Sequence, residues 1–305
     1  MEEEKLPDRI SEEANETRRL ISPGAEKWLM RPIKCLNFGF VYLVDYMGSD
    51  ASIAQSARVS YGKGTKQVSD DESLIRYLLS HDHTTPFEMV EMKFHVKLPI
   101  FVARQWIRHR TANVNEVSRR YSEVCDEFYM PELDDLRKQS KDNKQGRGEK
   151  LDLASQARVL GLLQECYRMQ MCSYKEFTSM EFARELARIG VSVANYTEWY
   201  WKIDLRNLFN FLRLRLDSHA QKEIRVYAEA MAQIVKEAYP MAYKAFEDYQ
   251  LNAVRFSGPE LEMLHVLRYY LTTMPSVELE KFIKENFKSK REAQEFIEKI
   301  RKYLK

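Results

Sequence analysis

The order of its periodic segments predicts that this chain adopts an α+β fold, an antiparallel sheet packed with helices and carrying extra C-terminal helices. Three observations lead there. Strand-like runs come early and helical runs late, which opposes an alternating βαβ order. Residues 90–98 hold the clearest period-2 run, with Val90, Met92, Phe94, Val96 and Leu98 alternating with Glu91, Lys93, His95 and Lys97, as in a strand with one face in a core. No internal repeat is visible in the 305 residues, which disfavours solenoids and propellers.

Residues 1–33 read as a helical or loosely ordered lead-in, rich in Glu and Arg. The domain proper is expected at 34–255, opening with a strand over Asn37–Asp45, then a short helix over Ser52–Val59. A second helix, Asp71–Ser80, places Leu74, Ile75, Leu78 and Leu79 at helical spacing. After the strand at 90–98, Pro99 opens a helix that runs to Arg108, followed by a loop at Thr111–Asn115. Residues 132–150 are charged and read as a solvated, mobile insertion without function. Helices follow over Leu151–Phe177, Met180–Ile189, Leu205–Leu216 and Ser218–Glu237. A break at Phe256-Ser257-Gly258-Pro259 sets off a helical appendage, 256–305, with further breaks near Pro275 and Phe287.

Composition narrows the class. The chain is 44% hydrophobic and 31% charged, with 48 Lys and Arg against 46 Asp and Glu, so it is no polycationic nucleic-acid coat and any anion binding is local. No run approaches the roughly 18–20 apolar residues of a membrane span. Its opening, Met1-Glu2-Glu3-Glu4-Lys5, lacks an apolar signal core, and the cytoplasm is the expected compartment. Cys35, Cys125, Cys166 and Cys172 form no C-x-x-C pair and read as reduced packing thiols. His81-Asp82-His83 is a poor metal motif, and no metal is expected.

Neither Gly-rich phosphate loop occurs; Gly62-Lys63-Gly64 is the nearest approach. A bound nucleotide must then be held by side chains. Arg104, Arg108, Arg110, Arg119 and Arg120 fall within residues 104–120, accompanied by Gln105, His109, Asn113, Asn115, Glu116, Ser118 and Tyr121. Helical spacing puts Arg104, Gln105 and Arg108 on one face and Arg110 nearly opposite, an arrangement for two separate anions. The competing reading is a solvated basic helix end. In a second cluster, Leu205, Leu208, Phe209, Leu212 and Leu216 form an apolar arc with Arg206, Asn210, Arg213 and Asp217 opposite. Arg215 is the exception, projecting toward the apolar side, where an unpaired cation is costly. Either the helix breaks there, Arg215 pairs with an acid such as Glu223, or it points into a pocket for an anionic ligand. Ser218-x-x-Gln221 reads as a capping box that restarts the helix.

Arg108-His109-Arg110 followed by seven residues and Ser118, extended by Asn115, Glu116, Arg120 and Tyr121, resembles the signature of the flavin-dependent thymidylate synthases. Similarity continues through residues 83–88, 94–106 and 214–221, and spans about Asn37 to Tyr249. The resemblance implies a homotetramer of the thymidylate synthase-complementing fold that uses FAD to methylate dUMP to dTMP, with 5,10-methylenetetrahydrofolate as carbon donor and NADPH as reductant. By resemblance, Thr85, Arg108, His109, Arg110, Glu116, Arg206, Asn210 and His219 line the flavin site, together with Asp204, which stands where the family often has Asn. Gln105, Arg108, Glu116, Ser118, Arg119, Arg120, Arg188 and Arg215 hold dUMP, with Glu116–Arg120 contributed by a neighbouring subunit. Arg215 is the catalytic candidate, stabilising negative charge on the uracil ring, and no cysteine nucleophile is implied. Two other readings remain open at this point: an RNA-binding protein using the Arg cluster with Trp106 and Tyr121, and a different flavin reaction on the same fold.

Overall fold

The computed structural model describes residues 19–59, 70–141, 146–267, 275–287 and 290–303; most of the expected lead-in and the Gly62-Lys63-Gly64 motif lie outside them. By compactness the chain divides into Met1–Phe246 and Glu247–Lys305.

The first unit contains α1 (Pro23–Trp28), β1 (Ile33–Cys35), β2 (Gly39–Met47), α2 (Asp50–Arg58), α3 (Asp71–Ser80), α4 (Thr85–Glu88), β3 (Glu91–Pro99), α5 (Ile100–Trp106) and β4 (Asn113–Glu116). It continues through β5 (Arg137–Gln139), β6 (Arg147–Lys150), α6 (Leu153–Ser179), α7 (Arg184–Ala187), β7 (Tyr196–Asp204), α8 (Leu205–Arg215), α9 (Lys222–Ala238) and α10 (Pro240–Phe246). β1, β2, β3, β7 and β4 form, in that order, a five-stranded antiparallel sheet.

The period-2 run is β3, and it is central because its even residues Met92, Phe94, Val96 and Leu98 are fully buried. The strand beside it, β7, corrects the reading of the chain after residue 150 as mostly helical. Thr197, Trp199, Trp201 and Ile203 are buried, while Tyr196 and Tyr200 put aromatic rings on the other parity and blur the alternation. β4 likewise replaces the expected loop at 111–115 with an exposed edge strand paired only to β7. The helix after Pro99 ends at Trp106 rather than Arg108. Met180–Ile189 resolves into the single turn of α7 and a 3-10 turn, Arg188–Gly190.

The charged insertion is also structured. It holds a 3-10 turn, Leu133–Asp135, and the β5–β6 hairpin; its residues 142–145 lie outside the described set. The expected capping box at Ser218 is absent. α9 begins at Lys222, and its N-cap, Gln221, makes no side-chain cap bond, because the amide of Gln221 is engaged by Gln105 instead.

The second unit comprises a π-helical turn, Glu247–Leu251, then α11 (Gly258–Leu267), α12 (Ser276–Asn286) and α13 (Lys290–Tyr303). The expected appendage lies within it. It has its own core of Met263, Leu267, Ile283, Phe296, Ile297 and their neighbours, and Lys299 pairs with the buried Glu260 at 2.6 Å.

Sheet and helix approach closely at Gly39. A Cβ there would lie 2.0 Å from the Tyr227 hydroxyl and 2.8 Å from the Lys97 carbonyl, between which a hydrogen bond of 2.8 Å now runs. Gly39→Ala is expected to push Tyr227 off that carbonyl and lose about 1–3 kcal/mol of stability through overpacking. Denaturant unfolding checks this; an unchanged midpoint would contradict the packing described.

Candidate functional site

An aromatic cluster decides where the cationic groups lie. Trp106, at the end of α5, packs within 5.2 Å of Trp201 on β7, 4.7 Å of Phe211 on α8 and 5.9 Å of Tyr227 on α9, ring centre to ring centre. All four rings are essentially solvent-free. The turn leaving α5 is thereby held against α8, and between them lies a cavity of about 350 Å3 lined by Arg108, His109, Arg110, Thr111, Ile203, Asn207, Asn210, Leu214 and Arg215.

Arg108 and Arg110 both line this cavity, which corrects the expectation that they face nearly opposite ways. Helical angular spacing does not apply to them, because α5 has already ended at Trp106. Arg215 is the last residue of α8, so the helix does break there. Its Nε donates to His109 Nε2 at 3.1 Å and its Nη2 to the Gln105 carbonyl at 3.3 Å. The expected alternative partner, Glu223, is instead paired with Arg147. Among the described residues, no carboxylate lies within ion-pair distance of Arg108, Arg110 or Arg215. Arg108 and Arg110 are exposed and Arg215 is half-buried; three guanidinium groups lining one cavity without a carboxylate partner form a site suited to an anion.

His109 is neutral in this setting. Burial first, then the neighbouring Arg215 cation, pushes its imidazole down from 6.5 to about 4. Since Nε2 accepts from Arg215, the ring proton belongs on Nδ1. Its ring also packs edge-on to Phe211 at 4.9 Å. Burial lowers the Arg215 guanidinium somewhat from its ordinary value, and it remains cationic at any working pH.

The remaining sequence-derived residues are more dispersed. Gln105 touches the site through its carbonyl and binds Gln221 through its side chain. Asp204 caps α8, its Oδ1 accepting from Asn207 N at 2.8 Å and its Oδ2 from Asn207 Nδ2 at 2.7 Å. Arg206 lies 4.0 Å from Glu88, and Asn210 accepts from Arg213 at 3.1 Å. Thr85 is exposed at the start of α4, and His219 is exposed beside Asp217 at 2.9 Å. Glu116 accepts from Thr197 at 2.7 Å on the edge strand. Ser118 accepts the backbone N–H of Arg120 at 3.4 Å, while Arg120 stacks over Tyr121 at 5.2 Å. Arg119 turns inward, donating to the Tyr196 carbonyl, to Cys125 Sγ at 3.2 Å and to the Glu123 carbonyl at 3.3 Å. Arg188 donates to the Glu185 carbonyl at 3.3 Å. Thr111, Ile203, Asn207 and Leu214 are the cavity residues that sequence reasoning missed; for Asn207, its position three residues after the helix-capping Asp204 was the available signal.

Among the described residues no group of three or more His, Cys, Asp and Glu forms a metal-binding cluster, and no helix is long and apolar enough to cross a membrane.

The neutral state of His109 has a pH consequence. Between about 6.5 and 4 the unfolded chain holds a proton on this imidazole that the folded chain does not. Its contribution to stability is therefore full above about pH 6.5 and is lost as pH falls toward 4. His109→Asn, which keeps an acceptor for Arg215, is expected to lose less melting temperature between pH 7.5 and 5 than the parent chain. Equal losses would show that His109 titrates normally.

The family model for the thymidylate synthase complementing protein matches residues 42–241. A flavin-dependent thymidylate synthase of Ruegeria pomeroyi is 56% identical over 252 residues, covering 81% of this chain and 83% of that protein. One from Rickettsia conorii is 52% identical over 263 residues, covering 82% and 90%. Among solved structures, a UMP/dUMP methylase, PolB of Streptomyces cacaoi bound with 5-Br UMP, superposes with a TM-score of 0.65 at 32% identity, covering 72% of this chain and 98% of that one. With the signature residues Arg108, His109 and Arg110 all lining one cation-rich cavity, the chain is an enzyme that belongs to the thymidylate synthase complementing protein family, that of the flavin-dependent thymidylate synthases.

Proposed function

We propose that the protein converts dUMP to dTMP by FAD-dependent reductive methylation, with 5,10-methylenetetrahydrofolate as carbon donor and NADPH as reductant. The observation that carries this is the set of guanidinium groups, Arg108, Arg110 and Arg215, which line one cavity without a carboxylate partner. A nucleotide phosphate and an electron-rich uracil supply the missing negative charge. Relatives named flavin-dependent thymidylate synthases at more than half identity support the same reading.

The donor set fits FAD. Arginine forks suit a pyrophosphate, and the Asn207 and Asn210 amides suit the polar edge of a flavin ring. When bound, the flavin supplies hydride chemistry that no side chain provides. The chain's own part is electrostatic. Arg215 is held by His109 and the Gln105 carbonyl, partly shielded from water, and is poised to stabilise negative charge as electron density enters the uracil ring and C5 becomes nucleophilic. A neutral His109 accepts from this cation without competing for its charge. Thr85, Arg206, Asp204 and His219 complete the flavin site, and Ser118, Arg119, Arg120, Glu116 and Arg188 the dUMP site, with Ser118 as a binder rather than a nucleophile. No cysteine attack is needed in this reading: none of the nine cavity residues is Cys, and Cys35 is buried with its thiol pushed up to about 12 by desolvation and by Glu229.

The working form is a cytoplasmic homotetramer. Glu116, Ser118, Arg120 and Arg188 do not line the chain's own cavity, which favours their service to a neighbour's. Exposed Leu162, Met169, Phe177, Met180, Leu186 and Ile189 on and after α6 also need cover. Light scattering is expected to give the mass of four chains; a monomer would remove this part of the reading.

Incubation of flavin-loaded protein with dUMP, methylenetetrahydrofolate and NADPH is expected to yield dTMP only in the complete mixture. Arg215→Ala is expected to lower turnover about 10²–10³-fold while FAD stays bound, and near-normal turnover would overturn its role. The likeness to a UMP/dUMP methylase favours one second reading, tolerance of the ribonucleotide, and parallel assays with UMP decide it.

A further inference from the structure

One run of hydrogen bonds joins the Arg215 cavity to the charged 132–150 segment. Arg215 Nη2 donates to the Gln105 carbonyl at 3.3 Å, and the Gln105 side-chain amide donates to Gln221 Oε1. The Gln221 side chain in turn hydrogen-bonds Glu223, which is 1% exposed and accepts from Arg147 Nη2 with both oxygens, at 2.6 and 2.7 Å, and from the Tyr129 hydroxyl at 2.7 Å. Arg147 Nη1 reaches Asp135 at 3.1 Å, and Asp135 also receives Lys222 Nζ at 2.8 Å. Lys222 extends to Glu132 at 2.9 Å. The first two residues of α9 are thus both gripped by the segment that the sequence presented as a solvated insertion.

Between α8 and α9 the chain forms a short non-helical link. Residues 216–221 make local turn bonds, Ala220 N to the Asp217 carbonyl at 2.9 Å and His219 N to Asp217 Oδ1 at 2.8 Å. The Ser218 carbonyl also accepts from Arg225 Nη1 at 3.0 Å, and the segment is flanked by Arg215 on one side and by Lys222 and Glu223 on the other. Arg147 lines a separate cavity of about 450 Å3 with Tyr129, Gln221 and Glu223, and is not among the residues of the Arg215 cavity.

We infer that Arg147 is a positioning residue for the dUMP site: its ion pair with Glu223 fixes the start of α9, and thereby Gln221, Gln105 and the guanidinium of Arg215. This rests on the reading of the Arg215 cavity as that site. A lysine at 147 supplies charge but only a point donor, and cannot span Glu223 and Asp135 with a planar fork.

The test compares the flavin-loaded parent, Arg147→Ala, Arg147→Lys, Gln221→Ala and the double variant Arg147→Ala/Gln221→Ala. Hydrogen exchange without nucleotide reads the coupling itself. Arg147→Ala is expected to accelerate exchange about tenfold at 216–224, with β3 and β7 unchanged and Arg147→Lys intermediate. Direct titration with dUMP is expected to show affinity weakened by on the order of 10- to 100-fold at unchanged FAD retention, and in the Gln221→Ala background the Arg147 substitution adds less than threefold. A lowered melting temperature with exchange at 216–224 and dUMP affinity both unchanged would assign Arg147 a merely structural role and overturn the inference. If Arg147→Ala does not fold, unaltered dUMP affinity in both Arg147→Lys and Gln221→Ala overturns it equally. Loosening of 216–224 in a protein whose parent takes up no dUMP upholds the coupling and removes the proposed ligand.

Discussion

The packing of Trp106 against Trp201, Phe211 and Tyr227 is the contact on which the candidate site depends. It ties α5, β7, α8 and α9 together at one point. Like charges repel even where, as for Arg108 and Arg110, they are exposed, so the turn and helix end that carry Arg108, Arg110 and Arg215 must be held together by other contacts. The burial of large aromatic surfaces, each favouring the closed arrangement by a few kcal/mol, can supply them. Trp106 and Trp199 bury indole N–H groups that have no hydrogen-bond acceptor among the described residues, but they meet edge-on at 5.7 Å and 82°, an arrangement in which positive ring edges face π density. The hydrophobic effect thus fixes the elements that bring three cationic side chains around one cavity, two of them open to solvent.

Much of this was legible in the sequence where the signal is local. The alternation of 90–98 identifies the central strand, and the leucine spacing of 71–80 gives α3 with its observed ends. The anomalous direction of Arg215 on an otherwise amphipathic helix marks the cation that enters a cavity. Signals failed where they depend on distant parts of the chain. β7 carries aromatic residues at both parities, because Trp199 and Trp201 fill the core while Tyr200 stacks on His95 at 4.8 Å on the other face. β4 exists because β7 offers it an edge, and nothing in Asn113–Glu116 alone demands a strand.

The same distinction separates Arg215 from Arg147. Spacing alone made Glu223 a reasonable partner for Arg215, eight positions away, yet Glu223 pairs with a residue 76 positions earlier. Burial alone would push the Glu223 carboxyl up, and the hydrogen bonds from Arg147 and Tyr129 more than reverse this, holding it below the ordinary carboxylate range. With that acid satisfied elsewhere, Arg215 is left with a neutral imidazole and a backbone carbonyl. The availability of one cation for chemistry is therefore a product of how another is spent.

This bears on what the charged ring of Arg147, Glu223, Asp135 and Lys222 contributes to the fold. Buried ion pairs are poor stabilisers, since desolvation offsets much of their attraction and apolar replacements often do as well. What such a ring provides is direction: a fork and two carboxylates accept few relative orientations, whereas an apolar contact at the same place tolerates sliding. α9 is already anchored by its apolar face, from Ile224 through Val235, and gains little stability from a further tie at its first turn. Its first turn, which sets Gln221 against Gln105, is where a directional contact has leverage. The residues whose placement depends on that turn, Gln221, Gln105 and Arg215, lead directly to the cavity with the uncompensated charge.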